Sequence, residues 1–175
     1  HPVTENFGRQ CLLARRFAER GVRFIQVTHS DGDVQWDQHG NLRKGHAKNA
    51  AEVDQPIAGL LRELKSRGLL KDTLVVWGGE FGRTPKINPA SGRDHWPTGF
   101  SMALAGGGFR AGHVHGSTDP TGAKLDSLDK ESIRVADIHT TIQHTLGIDH
   151  AKELMTPILR PMALSDGRVI KTLLK

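Results

Sequence analysis

Cysteine is almost absent from this sequence, and tyrosine is absent altogether. The single cysteine, Cys11, excludes an internal disulfide framework and any cysteine-based metal cluster. Its setting, RQCLLARR, places it on the apolar side of a helix, as a packed thiol rather than a nucleophile. Aromatic residues make up only 5% of the chain, too few to interleave with a basic run. Lysine and arginine are scattered (Arg15, Arg16, Arg20, Lys65, Arg67, Lys171), so the formal charge of +5 does not condense into a nucleic-acid surface. No apolar run reaches the length of a membrane span. The opening HPVTENFGRQ carries neither an initiator methionine nor a signal peptide. It reads as a cut inside a longer protein, or as a processed end.

What is present suits one domain over 1–175, or a large piece of one. Phe7, Cys11, Ala14, Phe17 and Ala18 recur at helical spacing and predict a helix over roughly 5–20, stopped by Gly21. VRFIQVTH reads as a strand. A polar loop over 29–45 precedes a second helix over about 46–67, with an apolar stripe of Val53, Ile57, Leu60, Leu61 and Leu64. Pro56 inside it predicts a kink or a start just before it. DTLVVWGGE is a strand of the kind buried on both faces. A second long loop covers about 80–98, FSMALAGGG is a third strand, and 134–146 is a third helix. This alternation predicts an α/β fold: a three-layer α/β/α sandwich around a mainly parallel sheet. Ligands collect beyond the carboxyl ends of such strands, and both long polar loops leave those ends.

Those loops hold the candidate chemistry. In SDGDVQWDQHGN, Asp31, Asp33, Asp37 and His39 lie close together, and an extended Asp-x-His presents both side chains on one side, as a chelate requires. Taken alone, the tripeptide favours a solvated turn. In GGEFGRTP, Glu80 could hold a metal and Arg83 could clamp an oxyanion; a surface Glu80–Arg83 ion pair is the competing reading. GRDHWP adds Asp94 and His95. Nitrogen and oxygen donors without thiolate suit zinc or manganese and leave magnesium and calcium open. His115, in a turn-rich stretch with His113, is a further candidate. His139 and His144 are five apart on a helix and share a face poorly. No serine has a nucleophile-elbow context.

Six stretches in this order, GRQCLLARRFAERGVRFIQV, WDQHGN, DTLVVWGGEFGRTP, GRDHWPTGFSMALAGGG, DIHTTIQHTLGID and DGRVIKTLL, resemble the C-terminal part of a bacterial family termed domain of unknown function 1501. The resemblance covers nearly the whole chain, and the block 73–108 is its most specific part. It implies the alkaline phosphatase and sulfatase superfamily, hence a C-terminal portion of an alkaline-phosphatase-like fold with two metal ions. Cofactor-independent phosphoglycerate mutases of that superfamily carry GHTGN, then ADHGN, then AHTTNPVPFILV. WDQHGN is similar to the first, which implies His39 as a metal ligand with Asp37 as partner. GGEFGRTP falls on the second, which implies Glu80 as a ligand of, or bridge to, a second metal, with Phe81 where a histidine would stand. DHWPTGFSMALAG falls on the third, which implies His95 as a further ligand of the first metal. Arg83 then becomes the catalytic charge-stabilising group, Asp94 a supporting carboxylate that orients His95, and His115 a further supporting residue. The superfamily's nucleophile belongs to an N-terminal half that this sequence does not include.

The expected function is therefore metal-dependent hydrolysis of phosphate or sulfate esters by the complete protein, on a small-molecule or glycan substrate, in an exported (periplasmic or secreted) setting. The alternative is a non-catalytic exported anion- or carbohydrate-binding protein on the same fold, which Phe81 favours. Oligomeric state is not legible.

Overall fold

The computed structural model describes residues 1–29, 35–125 and 132–175. Ser30, Asp31 and Asp33 lie outside these ranges. The chain forms two compact units, His1–Ala105 and Gly106–Lys175.

In the first unit, α1 spans Glu5–Glu19 and buries Cys11 and Ala14. Ion pairs one turn apart, Glu5–Arg9 and Arg15–Glu19, line its polar face. Gly21 follows at φ +78°, a left-handed turn that an L side chain would strain. The second helix, α2, runs over Leu42–Ser66 and buries Asn49, Val53, Pro56 and Leu64. It starts four residues before the predicted position, because the Leu42 amide is taken by the Ser91 carbonyl at 2.9 Å. Pro56 neither starts nor ends the helix; it faces Gly8 of α1.

The two helices run parallel. Gly8 lies against Pro56, Arg15 lies 3.7 Å from Glu63, and Arg67 lies 3.2 Å from Glu19. Parallel neighbours need a connection that travels back along the first helix. The segment 22–29 does this, from a Val22 amide bonded to Phe17 to a His29 ring 5.4 Å from Phe7. VRFIQVTH was expected as a strand, but it forms no ladder among the described residues, and Phe24 is 83% exposed.

The strands are short. β1 (Leu74–Trp77) pairs with β4 (Ala103–Gly106), and β2 (Gly82–Arg83) pairs antiparallel with β3 (His95–Trp96). Val76 and Trp77 at the end of β1 are exposed, so this strand is not buried on both faces as its composition suggested.

In the second unit, α3 (Val135–Thr145) accompanies the antiparallel pair β5 (Glu153–Met155) and β6 (Pro161–Ala163). Asp137, Thr140 and Thr141 are its fully buried polar residues, and each is bonded. Asp137 accepts from the Arg134 and Arg168 amides, Thr140 donates to Ser165 Oγ, and Thr141 accepts from the Ile170 amide. DGRVIKTLL is thus stapled to α3 through side chains rather than through a sheet.

The expected three-layer sandwich on a mainly parallel sheet is overturned. Among the described residues, three α-helices and two-stranded sheets take its place, with β2–β3 and β5–β6 antiparallel. Apolar β-branched runs set local preference only. A parallel sheet needs a row of paired neighbours, and among the described residues the runs find at most one partner each.

Candidate metal centre

Two loops lie side by side and form the site. The Asn41 amide bonds the Ala90 carbonyl, Leu42 bonds Ser91, and Arg93 bonds the Gln38 carbonyl, with an antiparallel bridge between Gly40 and Ser91. Asn88 ties them further. Its amide nitrogen donates to the His39 carbonyl and to Asp94 Oδ1, both at 3.0 Å, while its oxygen accepts from the Ala90 and Gly92 amides. Gly92 allows this approach, because a Cβ there would lie 2.0 Å from the His39 carbonyl carbon. The β2–β3 register then sets Arg83 opposite His95.

The loop pairing brings three ligand atoms into one triangle. Asp37 Oδ1 is 3.0 Å from His39 Nε2 and 3.0 Å from His95 Nε2, and the two nitrogens are 3.2 Å apart. Ligands about 2.1 Å from one ion sit roughly 3.0 Å apart in octahedral geometry and roughly 3.4 Å apart in tetrahedral geometry. The triangle falls in that range. All three side chains are about half exposed, so the face opens to solvent.

Proton accounting sharpens the fit. Asp94 Oδ1 lies 3.0 Å from His39 Nδ1 and, as a carboxylate, can only accept. His39 therefore carries its proton on Nδ1 and points the Nε2 lone pair into the triangle. His95 Nε2 can send one N–H toward Asp37 or toward His39, not both. Without a metal, no choice of tautomer satisfies all three edges, because each ring nitrogen can place at most one N–H in the triangle. With a divalent cation, all three atoms have the same partner, and Asp94–His39 becomes the outer hydrogen bond typical of a metal-bound histidine.

The surrounding charges bear on Asp37 most. The His95 ring and the Arg83 guanidinium hydrogen-bond its carboxylate and hold its pKa at about 2, so it is ionised throughout the neutral range. Asp94 is lowered for similar reasons, by hydrogen bonds from His39 and Asn88. Arg83 bonds Asp37 through Nη1 and Glu80 through Nη2, the latter at 2.8 Å. Glu80 is thus paired with Arg83 and lies outside the triangle. Phe81 packs against the His95 ring at 4.2 Å and lies under the Arg83 guanidinium at 5.4 Å. His115 belongs to the second unit, where its ring is 6.3 Å from that of His113.

The support behind the ligand loop was not read from sequence. His29 accepts from Trp36 Nε1 at 3.1 Å and meets Glu52 at 2.8 Å, with both the imidazole and the carboxylate largely buried. Trp36 packs edge-on against His46, whose Nδ1 bonds Gln38. Burial, and then the charges of Arg93 and Arg83, push the His46 pKa down. Asn49 and Gln38 both donate to the Gln35 carbonyl, at 2.7 and 2.6 Å. The flanking tryptophan in WDQH and the apolar-face Asn49 were visible in sequence, but their partners come from other elements.

By fold and site this is a protein of packed helices and short strand pairs bearing a solvent-open His-His-Asp triangle of metal-ligand spacing. The chain belongs to the family described as Protein of unknown function (DUF1501), whose model matches residues 1–174. No curated protein and no solved structure matches it.

Proposed function

We propose that the protein is a metal-dependent hydrolase of phosphate or sulfate esters, related to the alkaline phosphatase and sulfatase superfamily, and that it works outside the cytoplasm. The triangle of Asp37, His39 and His95 carries this reading, and the motif order in the sequence supports the kinship. The donor set fits zinc or manganese. A bound ion would supply Lewis acidity to an ester oxygen. Asp37, His39 and His95 would hold it, Asp94 would orient His39, and Arg83 would offset charge on the transferred anion. Glu80 is the candidate for a bridge to a second ion, although its carboxylate is engaged by Arg83.

Metal analysis of the intact protein tests the first step. About one equivalent of zinc or manganese is expected in wild type and far less in His95→Ala. Equal trace amounts in both would remove the site. Turnover of aryl phosphates and sulfates by the whole protein, lost on chelation, tests the second. One observation favours a second reading, a non-catalytic anion- or carbohydrate-binding protein. Phe81 is packed on His95, and the superfamily resemblance would call for a second-metal histidine at its position. Metal binding without any turnover would select it.

A further inference from the structure

One oxygen in this site has three claimants. Asp37 Oδ1 faces His39 Nε2, His95 Nε2 and Arg83 Nη1. The first two can share it with an ion that they also bind. Arg83 cannot share it on equal terms, because its charge repels a divalent cation held on the same atom. The guanidinium is nevertheless well anchored elsewhere. Nη2 bonds Glu80 at 2.8 Å, the group stacks over Phe81, and the side chain is only 17% exposed.

We propose that Arg83 is a metal-gated anion clamp: a divalent cation in the triangle displaces Nη1 from Asp37 and so creates a tetrahedral-oxyanion site between the ion and Arg83. The proposal rests on the metal reading above and adds a coupling to it. Without metal, Arg83 is neutralised by two carboxylates, and Asp94 adds a third negative charge nearby. Such a surface repels anions. A divalent cation cancels the excess and frees the Nη1 edge, while Glu80 and Phe81 keep the guanidinium in place. Two oxygens of a sulfate or phosphate group can then bridge ion and arginine. By linkage, the anion must tighten the metal by the same factor that the metal tightens the anion.

The test uses intact protein, zinc and inorganic sulfate. Sulfate affinity is measured by calorimetry with and without saturating zinc, and zinc affinity with and without sulfate. Wild type is expected to show reciprocal coupling of about tenfold or more. In Arg83→Met, zinc should bind at least as tightly as in wild type, since a competitor for Oδ1 is gone, and sulfate coupling should fall well below wild type, since only the ion remains to hold the anion. Arg83→Lys keeps the charge but lacks the two-pronged edge, and its coupling should be reduced; it serves if the methionine variant does not fold. Zinc binding with equal sulfate affinity in its presence and absence overturns the gate and leaves the metal site standing. Wild-type coupling in either variant also overturns it. Zinc uptake no greater than in His95→Ala removes the metal site and the gate together.

Discussion

Asp94 shows how a side chain can be placed correctly in sequence and still serve a different neighbour. It adjoins His95, yet its carboxylate holds His39 Nδ1. Removing it with Asp94→Ala should leave the fold intact and weaken zinc binding about tenfold or more, since outer partners of metal-bound histidines commonly contribute that much. Unchanged affinity in a zinc titration would show that His39 needs no such support. Asp37 is the other pivotal residue. Its pKa of about 2 is depressed, so whatever it contributes to stability is present above the ordinary aspartate value and is lost as pH falls toward 2. Metal binding is lost on acidification too, because the ligands must be unprotonated to hold the ion. Zinc uptake should therefore fall on acidification while far-UV circular dichroism stays unchanged.

The candidate ligands lie in two paired loops, and the pairing was not legible. Asp37, His39 and His95 could be picked out as residue types in turn-rich stretches. That the stretch around Gly40 lies along Ser91, with Asn88 as a tie, depends on hydrogen bonds between positions some fifty residues apart. Gly92→Ala probes this contact. The added methyl meets the His39 backbone, so a cost of about 1–3 kcal/mol and a marked loss of zinc binding are expected. Denaturant melts and zinc titration measure both, and a variant unchanged in each would deny the close approach any role. The half-buried Trp36–His29–Glu52 link braces the same loop from the helix side. Trp36→Phe keeps the ring but removes the donor, at about 1 kcal/mol.

On α3 the polar staple carries its own prediction. Burial raises the Asp137 pKa, but the Arg168 and Arg134 amides and the Arg134 charge outweigh it, and the net shift is downward. Its contribution is thus present above the ordinary aspartate value and lost on acidification. Asp137→Ala would leave the Arg134 and Arg168 amides without this partner and should cost about 3 kcal/mol in urea unfolding.

For the molecule as a whole, metal loading is a stability statement. An ion that binds only the folded protein adds about 2.7 kcal/mol at a hundredfold excess over Kd. Zinc should therefore raise the melting temperature of wild type and not that of His95→Ala; an equal shift in both would place the effect at another site. No helix among the described residues is long and apolar enough to cross a membrane. Helix positions were legible because α1, α2 and α3 are set by apolar spacing and glycine stops within one segment. Candidate donors were legible because thiolate was excluded by composition. Strand pairing, the parallel run of α1 and α2, and the partners of Asp94 and Arg83 were not, because each depends on which distant segments meet. Local preference acts over a few residues, whereas a ligand triangle with edges of 3.0–3.2 Å exists only once the backbone has brought residues 37, 39 and 95 together.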